Sequence, residues 1–314
     1  MHMKRLGRTV CMAIGILTLI APAFPESTAD QNQGQAIVTI MPQKNIKTSV
    51  SISRQDLQVK VNGKETGIDD WVPLRGRDSD IELVILIDSS ARASLGMQLG
   101  EIDRFIQSLP ANVKVAVGSM VSGRAVLAGP PSTDHAQAAS ELHIPNGTAG
   151  SNSSPYFCLS DLAKHWPSTE GSARREVVLI TDGVDSYYGL YDPEDPYVNA
   201  AINDSVRAGL VVYSIYWRDQ GYRRNPGYES FDGQNLLAQV TQATGGRGYW
   251  DGNGDPVSFN PFFDDIAWRL QNQYRLSFHS LQNGKPGVRS MEFKARAEAI
   301  EVYAPQRVYV GHPK

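Results

Sequence analysis

Cysteine is scarce in this chain. Its 314 residues contain two, and Cys11 lies in an N-terminal run with the features of a leader. Cys158 alone remains beyond it, so no intramolecular disulfide holds the exported chain together and a packed core must do so. A hydrophobic fraction of 41% and a charged fraction of 20% are enough for such a core. Cys158 sits in the apolar string Tyr156-Phe157-Cys158-Leu159 and reads as a small buried hydrophobe rather than a catalytic thiol. Long basic runs are also missing and the net charge is −3, which argues against a nucleic-acid or anionic-membrane surface. His135, His143, His165 and His279 are scattered, with no His-x-x-x-His and no cysteine pair, so zinc is not expected. There is no Gly-x-Ser-x-Gly elbow and no histidine placed to act as a base. No glycine-rich phosphate cradle follows a strand either. The chain therefore reads as a non-enzyme, and a hydrolase using Ser89 or Ser90 is the enzymatic alternative.

Residues 1–23 have the form of a cleaved signal peptide. Lys4, Arg5 and Arg8 precede an apolar stretch, Val10–Ala23, which ends in the small-x-small string Ala21-Pro22-Ala23. That stretch is shorter than the roughly 20 residues a spanning helix needs. Cys11 is inside it rather than at its end, which argues against a lipid anchor. The expectation is a secreted or periplasmic protein with no membrane insertion after cleavage. Residues 24–35 are polar and read as a flexible leader.

Three patterns then follow in order. Residues 36–78 alternate in short runs (Ala36–Met41, Ser49–Ser53, Leu57–Val61), and Asn62-Gly63 is a strong hairpin signal. Residues 79–272 alternate strand and helix. Helical spacing of Leu99, Ile102, Phe105, Ile106 and Leu109 predicts a helix stopped by Pro110, and further helices are read at Ser132–Leu142, Phe157–Trp166 and Phe231–Thr244. Asp195-Pro196 and Asn260-Pro261 read as helix starts. Residues 273–314 return to β alternation. The economical arrangement pairs 36–78 with 273–314 in one small β-sandwich into which the α/β region is inserted; two independent β extensions are the alternative.

Two stretches within the α/β region carry the chemistry. Leu83–Ile87 is unbroken apolar sequence, as in a strand covered on both faces of a parallel sheet, and it ends in Asp88-Ser89-Ser90. Glu176-Val-Val-Leu-Ile-Thr-Asp182-Gly183 repeats the pattern. In open α/β sheets ligands bind at the carboxyl ends of the strands. Two strands ending in aspartate bring hard oxygen donors to one edge, which suits Mg²⁺, Mn²⁺ or Ca²⁺.

This succession of strand-Asp-x-Ser, a hydroxyl-rich loop and strand-Thr-Asp-Gly resembles the von Willebrand factor type A (VWA) domain. More narrowly, Leu86-Ile-Asp-Ser-Ser-Ala-Arg92, Ser154-Pro155-Tyr156-Phe157, Ala243-Thr244-Gly245-Gly246 and Gln273-Tyr274-Arg275-Leu276 are similar to the exported bacterial VWFA-related, acidobacterial-type group. The resemblance implies a doubly wound, mostly parallel α/β sheet with a metal-ion-dependent adhesion site. It places Asp88, Ser90 and Asp182 among the ligands of Mg²⁺ (or Mn²⁺/Ca²⁺). The loop hydroxyl is Ser154, which stands just before a helix, with Thr148 and Ser153 as the other candidates. The family's second serine is replaced by Arg92. Turned inward, its guanidinium takes the place of the cation; turned outward, it leaves the metal with a water, and Ser94 is a substitute ligand. A partner's carboxylate would fill the open metal position.

Asp185, Asp192, Glu194 and Asp195 follow on the same edge, either as a second Ca²⁺ site or as a solvated loop in which Asp195 caps a helix. Asp185, Tyr187, Tyr188 and Tyr191 are candidates for a ligand-binding rim. Asp251-Gly-Asn-Gly-Asp255 lacks the spacing of a Ca²⁺ loop and reads as a turn. The expected function is an exported protein-binding module, with a metal-free structural or assembly component of the envelope as the alternative. Ligand identity and oligomeric state are not encoded in any motif.

Overall fold

The computed structural model describes residues 33–43, 52–75, 79–89, 91, 93–145, 154–185, 187–188, 190–218, 231–280 and 285–311. The expected signal peptide, most of the leader, Ser90, Arg92, Thr148 and Ser153 lie outside them.

Strand β5 (Ile81–Asp88) is buried at every position. An unbroken apolar run demands this, and a strand covered on both faces provides it. It pairs in parallel with β6 (Val113–Val121) on one side and β8 (Arg174–Thr181) on the other. Beyond β8 come β9 (Leu210–Tyr216) and the short β10 (Gly248–Tyr249), both parallel. Strand β7 (Arg124–Leu127) folds back antiparallel on β6, through Ser122 and Gly123 at φ +47° and +76°. The order across the sheet is β10-β9-β8-β5-β6-β7.

Both faces of this sheet are covered. Ile81, Leu83, Ile85 and Ile87 join one core with α1 (Leu99–Ser108), α2 (His135–Ser140) and α6 (Asn260–Leu270). Val84 and Leu86 join another with α3 (Pro155–Lys164), α4 (Pro196–Ala208) and α5 (Asp232–Thr244). Alternation of side chains along a strand sends neighbours to opposite faces, and here both faces are apolar. Two local readings need correction. Helix α2 is shorter than expected because Ser132 bridges to Val115 and Asp134 caps the helix through the Gln137 amide. Asn260 does not cap α6. Glu101 of α1 does so from across the fold, accepting hydrogen bonds from the Phe259 and Asn260 amides and the Ser258 hydroxyl.

The remaining strands form an antiparallel sheet. Strand β1 (Gln33–Pro42) begins within the stretch expected to be leader. It pairs with β11 (Gln273–His279), with β13 (Ile300–Tyr303) and, at Gly34, with β14 (Arg307–Val310). Strand β4 (Gly67–Pro73) pairs with β11. Strand β2 (Leu57–Val61) pairs with β12 (Gly287–Ala295) and with β3 (Lys64–Glu65). Its turn has Asn62 and Gly63 at φ +48° and +74°, as the Asn-Gly signal requires. Ser53 does not extend a strand; it caps the short helical turn Arg54–Asp56. The pairing path β3-β2-β12-β14-β1-β11-β4 is continuous. Thr66 ties its two ends, donating its amide to Val59 and its hydroxyl to the His279 carbonyl. The unit is thus one curled antiparallel sheet around Val38, Ile40, Val59, Leu276, Phe278 and Val308.

Buried polar contacts join the sheets. Arg174 of β8 donates to the Leu270 and Ser79 carbonyls and to Gln273, the first residue of β11. Arg269 is 1% exposed, pairs with Asp265 at 2.7 Å, and lies 3.8 Å over the ring of Tyr303 in β13. Among the described residues no helix is long and apolar enough to cross a membrane.

Candidate functional site

The chain leaves β5 toward α1 on one face of the parallel sheet and leaves β8 toward α4 on the other. In open α/β sheets, connections that part in this way mark the carboxyl ends of the two strands as a place where ligands bind. Asp88 ends β5 and is 2% exposed; Asp182 directly follows β8 and is 9% exposed. The register pairs Ile87 with Ile180, so the residues that follow lie side by side. The Thr181 hydroxyl donates to Asp88 Oδ2 at 2.6 Å and accepts from the Gly183 amide at 3.2 Å. Asp182 Oδ1 accepts from the Val184 amide at 2.9 Å, a local turn that aims the carboxylate.

The backbone at Asp182-Gly183 is fixed by close packing. Gly183 has φ +72°, and a Cβ there would stand 2.5 Å from the Gly233 carbonyl oxygen. A Cβ on Gly233, in the first turn of α5, would stand 2.0 Å from the Asp182 oxygen. From the other side, the Tyr156 hydroxyl donates to the Gly183 carbonyl at 2.7 Å. Gly183→Ala should therefore lower unfolding stability by about 2–4 kcal/mol, from backbone strain and overpacking together. Gly63→Ala, at similar φ with nothing within 4 Å, should lose only about 1 kcal/mol. Urea midpoints of the two variants measure the difference, and equal losses would refute the packing argument.

Ser154 is fully buried and caps α3, accepting from the Phe157 amide at 3.4 Å. It faces Asp185, whose carboxyl also accepts from the Tyr187 amide at 2.8 Å. Burial pushes the Asp185 pKa up, the Tyr187 amide opposes this, and the neighbouring Asp195 adds to the rise; the net direction is upward. Asp195 is also buried and caps α4 through the Tyr197 and Val198 amides. Ser94 is exposed, unlike the two strand-end acids.

The expected rim divides. Tyr187 and Tyr188 are exposed, Tyr191 is half-buried against the α3–α4–α5 core, and Asp185 is buried rather than part of a surface. Phe157, Tyr187, Tyr188 and Tyr197 form one run of ring contacts. Burial raises the pKa of the Cys158 thiol far above its usual value, so no thiolate is available there. The rings of His135, His143 and His165 meet the carbonyls of Val113, Glu141 and Asp161, and His279 meets the Asp69 carboxylate and Gln33.

The groups at the two strand ends are the Asp88 and Asp182 carboxylates and the Thr181 hydroxyl, all oxygen, which suits a hard divalent cation. Among the described residues no three His, Cys, Asp or Glu side chains gather as a metal group. A cation here would depend on hydroxyls and waters as well as the two acids, as Mg²⁺ accepts. Sequence reading missed Thr181, Tyr156 and Gly233 as supports of the edge. Thr181 stood in the quoted Thr-Asp-Gly string, whereas nothing local marks the other two.

No family model matches the chain, and no curated protein does. Among solved structures it is similar to an aerotolerance-related membrane protein from Bacteroides fragilis, at 16% identity and a TM-score of 0.41, over 60% of this chain and 98% of that one. The conserved hypothetical protein BatB from Bacteroides thetaiotaomicron matches at 14% identity and 0.41, over 60% and 97%. Proximal thread matrix protein 1 from the mussel byssus, solved with a zinc-occupied MIDAS motif, matches at 13% and 0.40, over 66% and 48%. Similarity at this level assigns neither a ligand nor an activity to the chain.

Proposed function

We propose that this chain is an exported, non-enzymatic protein-binding module of the VWA type, with a doubly wound α/β unit. Asp88, Ser90, Ser154 and Asp182 would hold a divalent cation, Mg²⁺ (or Mn²⁺/Ca²⁺), and the cation would take a carboxylate from a protein partner. One observation carries this reading. Asp88 and Asp182, 2% and 9% exposed, stand at the carboxyl ends of neighbouring strands, where the chain parts to opposite faces. Burying like charges together is unfavourable unless something compensates. Beside the Thr181 hydroxyl and the Val184 amide that already bond them, a divalent cation would bridge both at once, and the buried Ser154 hydroxyl suits its preference for oxygen. The non-enzymatic part is supported by the protonated Cys158 and by histidines whose hydrogen bonds go elsewhere.

A thermal melt tests the proposal. The protein is stripped with chelator and melted with and without millimolar Mg²⁺, Mn²⁺ or Ca²⁺, alongside Asp182→Ala. A cation at about 100 times its Kd stabilises by roughly 2.7 kcal/mol. Wild type should melt at a higher temperature with the cation, and Asp182→Ala should not respond. No response in wild type would sink the metal reading and favour a scaffold in which Arg92 supplies the positive charge.

A further inference from the structure

Beside the Asp88–Asp182 edge, a cleft of 340 Å³ runs between α3 and the β6–β7 hairpin. The rings of Phe157 and Tyr187 form an apolar wall, edge to face at 4.8 Å. Arg124 and Lys164 stand at the mouth, with side chains 76% and 57% exposed. Both ring residues are anchored to the candidate site: the Phe157 amide bonds Ser154, and the Tyr187 amide bonds Asp185. The cleft therefore adjoins the loops that carry Ser154 and Asp185. The volume suits one large side chain rather than a folded element.

The charge at the mouth selects the guest. Asp161 is the one acid of the lining, and it is engaged by the Ala125 amide at 3.2 Å and by His165 at 3.2 Å. Arg124 stays 3.9 Å from it, a loose pair. Lys164 is held by Asp204 at 2.8 Å. Arg124 is thus left to meet an acid carried by the guest. Exposed tyrosine rings beside arginine are the composition of interface centres, where a few residues supply most of the affinity.

We propose that this cleft docks a large apolar side chain, phenylalanine or similar, from an acidic segment of the protein partner, with an acid of that segment against Arg124. The proposal rests on the adhesion-site reading for the rest of the segment, whose carboxylate goes to the cation.

The test is a ¹H–¹⁵N NMR titration of the full chain with three probes: acetyl-Asp-Phe-Asp-amide, acetyl-Asp-Ala-Asp-amide and acetyl-Lys-Phe-Lys-amide. The first should shift the amides of Ser122, Gly123, Phe157 and Lys164. It should bind about tenfold or more tighter than the alanine probe, the expected gain from burying an aromatic ring. The lysine probe should bind more weakly, and Arg124→Glu should reverse that order. Tyr187→Ala should erase the preference for phenylalanine over alanine. Both changes are at exposed side chains, and melting midpoints confirm folding. No such preference in wild type, or one unchanged by both variants, overturns the docking proposal. Asp182→Ala and chelator separate the two readings. If wild type ignores cations yet keeps the preference at the cleft, the metal reading fails and the docking site stands.

Discussion

Arg174→Met should destabilise the protein by about 3–5 kcal/mol, the cost of breaking a buried charged network from one side. Arg174 is 6% exposed, and its guanidinium donates at 3.0 Å to the Leu270 carbonyl and at 3.1 Å to the Ser79 carbonyl, and also to the side chain of Gln273. Those acceptors belong to the end of α6, the lead-in to β5 and the start of β11. One side chain thus satisfies buried acceptors from three segments where the α/β sheet meets the curled sheet. Methionine fills most of the space but donates nothing, so the acceptors stay buried and Glu176 loses its nearby positive charge. The surface pair Lys114–Glu170 is the contrast: its side chains are 29% and 50% exposed, so solvent screens it and Lys114→Met should barely move the midpoint. Guanidinium denaturation of both variants measures this. A loss at Arg174 no larger than at Lys114 would mean the network contributes little to stability.

Glu176 should make stability fall as pH rises from about 4.5 to 7. It is fully buried, and burial raises its pKa from 4.5 to about 7, against the opposing effects of Arg174, Gln273 and Tyr213. These groups face it, and Asp80 acts on Arg174 in turn. The Tyr213 phenol is itself pushed well up, so it stays protonated throughout. The sign follows from proton binding. Between pH 4.5 and 7 the folded chain keeps a proton that the unfolded chain has released. The stabilisation from this group is complete below 4.5 and is lost as pH rises through 7. Its full size is roughly 3 kcal/mol. Other carboxylates with depressed pKa values slope the opposite way, so the measurement is a difference: unfolding free energy against pH for wild type and for Glu176→Gln. The downward component should vanish in the variant. Identical pH curves would show that Glu176 ionises normally.

Much of this was legible along the chain because its signals are local. The unbroken apolar run at Leu83–Ile87 made β5 a strand covered on both faces. Asn62-Gly63 marked a hairpin, and Asp195-Pro196 marked the start of α4, where the Asp195 carboxylate bonds the Tyr197 and Val198 amides. Asp88, Ser154 and Asp182 were also visible, since each stands at the end or start of such an element. Where local signals failed, a distant residue supplied the bond. Asn260 looked like a cap, but Glu101, far away in sequence, reaches the amides of α6. Asp185 looked like a rim residue beside tyrosines, but the loop folds over it and leaves it 0% exposed.

The alternation of strands and helices in the middle of the chain, the β character of its two flanks and the oxygen-bearing side chains at two strand ends can be read from the residues alone. These depend on hydrophobic period and turn residues, which act over a few positions. Folding in three dimensions makes β5 and β8 neighbours, which brings Asp88 beside Thr181-Asp182. It alone closed the terminal strands into one curled sheet through Thr66. It also set Gly233 against Gly183, and Arg174 between two sheets. Such contacts join residues far apart in the chain, and they form because buried polar groups must find partners wherever packing places them.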